Sequence, residues 1–126
     1  MSLVTDFEDL EVYQLAVALQ QEIYERTKRF PADEKYSLTD QVRRSSRSIG
    51  ANIAEAWGKR RYKAHFVSKL SDSDGEQLET RHWLKTAFQC GYLADQECRT
   101  LVAKCQEIGR KLGRMMTDAD RWCARF

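Results

Sequence analysis

With 126 residues, the chain is long enough for one domain with one hydrophobic core. One proline and six glycines are too few for the turns of many short strands, so the composition excludes most all-β folds and favours helices. The net charge of +2 is small, whereas dedicated nucleic-acid-binding domains are usually strongly basic.

The first predicted helix covers residues 7–29. Its apolar face consists of Leu10, Tyr13, Val17, Leu19, Ile23, Tyr24 and Phe30. Asp6, Glu8 and Asp9 suit the first turn, because acidic side chains stabilise the positive end of the helix dipole. Pro31 predicts the end of this helix, since the residue before a proline is disfavoured in the helical region. The segment PADEKY is therefore expected to be a connecting loop.

A second helix is predicted from Ser37 to about Gly58. Ser37 suits the N-cap position, and Asp40 follows three residues later, as in a capping box. The predicted buried stripe is Leu38, Val42, Ile49 and Ile53. Small residues keep the middle of the helix thin, so that another helix can approach closely: Ser45, Ser46, Ser48, Gly50 and Ala51. Arg43, Arg44 and Arg47 lie off the apolar stripe.

A basic joint, KRRYK at residues 59–63, precedes a third predicted helix that ends near Cys90. The predicted apolar lining of this helix is Phe66, Val67, Leu70, Leu78, Leu84 and Phe88. The charges at its centre are all acidic: Asp72, Asp74, Glu76 and Glu79. Gly75 indicates a close backbone contact or a kink, because glycine destabilises a helix interior by about 1 kcal/mol relative to alanine. Gly91 predicts the helix end.

The fourth predicted helix begins near Asp95 and extends past Met116. Apolar residues alternate at spacings of three and four along it, which is a heptad seam: Cys98, Leu101, Cys105, Ile108, Leu112, Met115, Ala119 and Trp122. Long helices joined by short connections predict an all-α fold, an antiparallel up-down-up-down four-helix bundle that takes residues 1–126 as a single domain. Apolar residues on more than one face of the first two helices predict a closed homo-oligomer with the second helix near the subunit contact.

The four cysteines, Cys90, Cys98, Cys105 and Cys123, contain no C-x-x-C pair of the kind that structural zinc sites use. They are expected to be reduced, metal-free thiols, and no cofactor is predicted. The start of the sequence is acidic and lacks the pattern of a secretory signal, and no apolar run has the length of a membrane span. These features predict a cytoplasmic protein.

Three segments in order resemble one known family: FEDLEVYQLAVAL, then FPADEKYSLTDQVRRSSRSIGANIAEAWG, then HFVSKLSDSDGEQLETRHWLKTAFQCGYL. The family is that of the four-helix-bundle proteins encoded in intervening sequences of bacterial 23S rRNA. The resemblance implies a four-helix bundle and a ring-shaped homopentamer, with an activity that is largely unassigned. The related accessory proteins of diversity-generating retroelements imply binding of nucleic acid and of a reverse transcriptase.

The stretch from Arg43 to Lys63 carries seven basic residues and one acidic residue, an excess of six positive charges. With Trp57 and Tyr62 nearby, it suits phosphate contacts and base stacking. The candidate nucleic-acid-binding residues, with RNA favoured over DNA, are Arg43, Arg47, Lys59, Arg60, Arg61 and Lys63. In the competing interpretation the arginines pair with the acids of the third helix, and the protein is an adaptor for a partner protein. The sequence does not separate the two.

A third interpretation, a carboxylate metal-site enzyme, depends on one Glu-x-x-His motif at Glu79 and His82. Di-iron bundles carry two such motifs, and the second is missing here, so we expect a non-enzymatic scaffold. Structural or interface roles are expected for Arg44, Ile49, Asn52, Ile53, Glu55 and Glu79. Asn52 is expected to set helix register, and Glu55 to pair with Arg44 or Arg47.

Overall fold

The computed structural model describes residues 3–124, in which every regular element is helical. Four long helices are joined by short connections and followed by one short helix. Their bounds are α1 Glu11–Thr27, α2 Asp40–Gly58, α3 Lys63–Gln89, α4 Asp95–Thr117 and α5 Ala119–Cys123. The all-α prediction is confirmed. The single-domain prediction for 1–126 also includes residues 1, 2, 125 and 126, which lie outside the described residues.

The helices form a bundle in which α2 packs most extensively on α3, α3 also packs on α4, and α1 packs on α2 and α4. Both predicted apolar stripes lie in its core. The four stripe residues, Leu38 just before α2 and the other three within it, are each at most 2 % exposed. The heptad seam is buried from Cys98 in α4 to Ala119 in α5, and Trp122 of α5 is half-buried beside Trp57, with 6.3 Å between ring centroids. The spacing analysis is confirmed for both helices. Among residues 3–124, no helix is long and apolar enough to cross a membrane.

The predicted start of the first helix is wrong. Phe7–Asp9 forms a separate 3-10 turn, Leu10 is extended, and α1 begins only at Glu11. The acidic residues cap that turn, because the Asp6 carboxylate accepts from the Phe7 N–H at 2.8 Å and the Asp9 carboxylate accepts from the Asp6 N–H at 3.1 Å. They therefore lie one turn before the helix whose dipole they were expected to stabilise.

The predicted loop and N-cap before the second helix are also wrong. Ala32–Glu34 forms a 3-10 turn and Lys35–Thr39 a π-helical turn, and these continue directly into α2. Ser37 lies inside the helical run and caps nothing. A long-range hydrogen bond stabilises the segment that leads into α2, since the Tyr92 hydroxyl donates to the Glu34 carboxylate at 2.8 Å.

Part of the predicted lining of the third helix faces outward, with Leu78 50 % and Phe88 41 % exposed. Small polar side chains take their place in the contact between α2 and α3. Ser73 donates to the Ile49 carbonyl at 2.8 Å, and Thr80 donates to the Ser45 hydroxyl at 2.9 Å. Because these buried hydroxyls have partners, α2 and α3 can pack through a polar seam at little cost.

The glycine predictions are half right. Gly91 has a φ of +82° and ends α3, with its N–H bonded to the Phe88 carbonyl at 2.9 Å. Gly75 makes no close contact, because a Cβ built there would meet nothing within 4 Å, and α3 is unbroken across it. The close approach occurs at Gly109 of α4, where a Cβ would lie 2.7 Å from Nε2 of Gln77 on α3.

We predict an acid-sensitive contribution to stability from Glu97, which accepts from Arg26 at 2.5 Å, from Arg29, and from the Ala94 N–H at 2.9 Å. These contacts lower the pKa of Glu97 from 4.5 to about 2, and the hydrogen bond from Arg29 is the largest cause. Because this pKa is lower in the folded than in the unfolded chain, ionised Glu97 stabilises the fold at pH values above its unfolded pKa. This stabilisation is lost as the pH falls towards about 2. Glu97→Gln should cost about 1–2 kcal/mol at neutral pH. Thermal melts from pH 7 to pH 2 should converge for the two proteins; a constant difference would contradict this origin.

Candidate nucleic-acid interface

Two of the three arginines of α2 lie against an aromatic ring. The guanidinium carbons of Arg43 and Arg47 are 4.8 Å and 5.7 Å from the ring centroid of Tyr24 on α1. Arg43 also donates to the Thr27 hydroxyl at 2.8 Å. Neither guanidinium forms an ion pair within residues 3–124. This pair, which we call the Tyr24 patch, keeps its charge available to an anion outside the chain.

Arg44 behaves differently, although it is adjacent in sequence. Its guanidinium donates to Glu76 at 2.9 Å and to Glu79, both on α3. The hydrogen bond to Glu76 is the largest cause of its raised pKa. Arg44 is therefore an internal ion-pair residue, as expected if it has a structural role. The three arginines line an open groove on the outer face of α2 together with Asp40, Ser48 and Ala51.

One cation of the joint after α2 is packed against the end of that helix. Arg60 is half-buried, its Nε donates to the Trp57 carbonyl at 2.9 Å, and its guanidinium carbon lies 3.4 Å from the Trp57 ring centroid. Burial is the main cause of its lowered pKa. Arg60 thus satisfies a carbonyl at the end of α2 and is less exposed than the other cations of the joint.

The other joint cations are exposed: Lys59, Arg61 and Lys63. We call them the joint patch. Lys63 pairs with Asp120 of α5 at 2.7 Å, and both side chains are more than half exposed. Such surface pairs are weak, so a phosphate can displace the carboxylate. The joint patch and the Tyr24 patch are separate, since twelve helical residues span about 18 Å between Arg47 and Lys59. Proximity in sequence suggested a single cluster, and the helix separates it into two.

The remaining residues with a predicted structural role are partly in the core and partly in polar contacts. Ile49 and Ile53 are core residues. Asn52 is half-buried and donates to the Ser48 carbonyl of its own helix at 2.9 Å, so it does not set register between helices. Glu55 pairs with Lys69 of α3 at 2.8 Å, rather than with Arg44 or Arg47, and the hydrogen bond from Lys69 lowers its pKa. Lys69 lies on another helix, so no local pattern in the sequence indicates this pair.

The Glu-x-x-His motif has two separate structural roles. Glu79 accepts from Arg44 and from the Trp83 indole N–H at 3.3 Å, while exposed His82 packs against the Trp83 ring at 4.8 Å between centroids. Among residues 3–124, no three His, Cys, Asp or Glu side chains are grouped so that they could hold a metal ion. The motif therefore provides no basis for a metal-site enzyme in the described residues.

All four thiols are predicted to remain reduced and free of metal. Cys98 and Cys105 are buried, Cys90 is exposed, and none of the four is paired. Burial raises the pKa of Cys105 to about 12, which keeps that thiol protonated and unreactive. Native mass spectrometry should give the mass of the four-thiol chain. Bound zinc, or a loss of two hydrogens per bridge, would contradict the prediction.

The comparisons with known proteins find a matching family and similar solved structures. The family described as 23S rRNA-intervening sequence protein matches residues 8–114. A crystal structure of a protein of unknown function from the S23 ribosomal protein family of Bacteroides thetaiotaomicron is 26 % identical, with a TM-score of 0.76. The similarity covers 84 % of this chain and 95 % of that one. No curated protein matches the chain.

Proposed function

The chain belongs to the 23S rRNA-intervening sequence protein family, and we propose that it is a non-enzymatic helical scaffold that binds RNA through the Tyr24 patch and the joint patch. The observation that carries the proposal is the pair of arginines, Arg43 and Arg47, held over an aromatic ring without an acidic partner in residues 3–124. Guanidinium groups bind phosphate oxygens in bidentate geometry and stack on planar rings. The family description names rRNA, which makes RNA the first ligand to test.

The charge distribution supports the same proposal. Residues 43–63 carry an excess of six positive charges, whereas the whole chain carries a net charge of only +2. Residues outside this stretch are therefore acidic on balance, so the positive charge is concentrated in one part of the sequence. A local concentration of positive charge attracts a polyanion even when the net charge of a protein is small.

We further propose that the subunits are antiparallel up-down-up-down bundles assembled into a closed homopentamer. The thin strip of α2 is partly filled within the chain, because Ser45 bonds to Thr80 and the position of a Gly50 Cβ is 3.5 Å from the Tyr13 ring, while Ala51 stays exposed. The outer face of α3 is a better contact. Its exposed residues recur at heptad spacing, with small side chains beside one large apolar side chain: Ser68, Ser71, Gly75, Leu78 and His82. A ring repeats both cationic patches in each subunit.

Leu78→Glu is predicted to dissociate the assembly, because it would place a charge at the centre of this contact. Light scattering at micromolar concentration should give a pentamer for the wild type and for Ala103→Glu, a matched change on the outer face of α4. A monomeric wild type would reject the assembly. An unchanged oligomer mass for Leu78→Glu would mean that the outer face of α3 does not form the subunit contact.

RNA binding by the wild-type protein tests the function itself. A fluorescently labelled RNA of about 20 nucleotides should bind at low salt. Its affinity should fall about tenfold or more between about 50 and 200 mM salt, because each phosphate contact releases counterions. Anisotropy titrations at the two concentrations measure this. Absence of salt-sensitive binding would reject the proposal.

The second candidate function is an adaptor for a partner protein. It is favoured by the internal ion pairs, in which Arg44 bonds to Glu76 and Lys69 to Glu55. If the cations of the Tyr24 patch and the joint patch have only structural roles, neither RNA nor DNA should bind, while the oligomer should still form. The anisotropy experiment therefore separates the two functions.

A further inference from the structure

A second groove lies beside the Tyr24 patch, between α1 and α2. It has a volume of about 340 Å³ and is mostly apolar. Its lining includes Phe7, Tyr13, Val17, Gln20, Arg47 and Ala54. Arg47 also lines the arginine groove on the outer face of α2, so the two grooves are adjacent and share a cation.

The aromatic wall of this groove is packed against its neighbours. Tyr13 packs edge-on against Phe7, with 4.9 Å between ring centroids and an interplanar angle of 82°. The Tyr13 ring also packs on α2, since it lies 3.5 Å from the position of a Cβ on Gly50, an ordinary van der Waals distance. The 3-10 turn before α1 places Phe7 at this position. The wall is thus fixed by three elements before any ligand arrives.

Two polar groups in the groove have no protein partner in residues 3–124. These are the side-chain amide of Gln20 and the hydroxyl of Tyr13. An amide presents both a donor and an acceptor, which is the pattern that the edge of a base requires. The groove therefore combines an aromatic wall, an apolar surface, hydrogen-bonding groups and a cation at its mouth.

We infer that this groove takes one unstacked nucleobase whose phosphate lies on Arg47, so that the nucleic acid bound is single-stranded. The inference rests on the proposed RNA binding and specifies its substrate class. A base within a duplex is paired and stacked, and it does not reach a side groove of this kind, whereas bases of single strands are splayed out onto aromatic side chains. Charge complementarity at Arg47 favours a nucleotide over an apolar segment of a second copy.

Ala54→Leu tests the inference by filling the groove, and Ala103→Leu is the matched control on the outer face of α4. Gln20→Leu is a second variant that removes the polar group from the surface of α1. The probes are a single-stranded RNA of about ten nucleotides, the same strand with abasic sites, and its duplex. We expect Ala54→Leu and Gln20→Leu to weaken single-strand binding about tenfold, with duplex affinity unchanged. Circular dichroism and light scattering establish that each variant keeps its fold and size.

The outcomes separate this inference from the function on which it rests. Equal affinity of the wild type for intact and abasic strands overturns the inference that the groove binds a base, but it leaves the proposed phosphate binding intact. A change of oligomer size in Ala54→Leu, with RNA affinity retained, assigns the groove to a subunit contact and also overturns it. If no probe binds with salt sensitivity, the proposed function fails, and the groove inference fails with it.

Discussion

Ile108→Asp is expected to unfold the domain, because it places an unpaired carboxylate at a position that is 1 % exposed. Burial of a charge without a partner costs several kcal/mol, which is comparable to the whole stability of a small domain, about 5–15 kcal/mol. Leu112→Asp, at a fully buried position one turn later, should have the same effect. Circular dichroism should show loss of helix at 25 °C or a greatly lowered melting temperature.

The control for these variants is Arg110→Ala, on the exposed side of α4. It should change the free energy of unfolding by less than about 0.5 kcal/mol. Similar melting temperatures for Ile108→Asp and Arg110→Ala would mean that the seam does not form the core.

Charge reversal at exposed cations of both patches should have the largest effect on RNA binding. A variant with Arg47→Glu, Lys59→Glu and Arg61→Glu should lose affinity by about a hundredfold or more, since attractive contacts become repulsive in both patches. Arg60 is left intact because it bonds to the Trp57 carbonyl and its loss would disturb the end of α2. Melting temperature and oligomer mass should remain close to those of the wild type.

Two controls distinguish specific surfaces from net charge. Lys85→Glu with Arg110→Glu and Arg114→Glu makes the same charge change on exposed positions of α3 and α4 and should reduce affinity far less. Arg44→Leu removes an internal ion-pair residue and should lower stability more than RNA affinity. Equal losses of affinity in both triple variants would indicate binding to net charge alone.

The bundle itself could be predicted because its signals are local. The stripe from Leu38 to Ile53 and the seam from Cys98 to Ala119 are helical periodicities. Each lies entirely within one continuous segment of the sequence. Gly91 was predictable for the same reason, since a helix that ends in the left-handed region selects glycine.

The site was harder to predict because its contacts join different helices. Tyr24 was assigned to an apolar face, yet it lies under Arg43 and Arg47 of α2. Glu55 is predicted to pair with Arg44 or Arg47, and it pairs with Lys69 of α3. Gly109, which allows the Gln77 side chain to approach α4, had no local signal that separated it from Gly75.

Photocrosslinking of a uridine-rich single-stranded RNA to the wild-type protein, followed by mass spectrometry of the modified peptides, tests most directly where RNA binds. The proposed interface predicts modification of Tyr13, Tyr24 and residues 43–63, and its loss at high salt. Modification concentrated on the outer face of α4, around Arg99 and Arg110, or spread evenly over the surface, would contradict it.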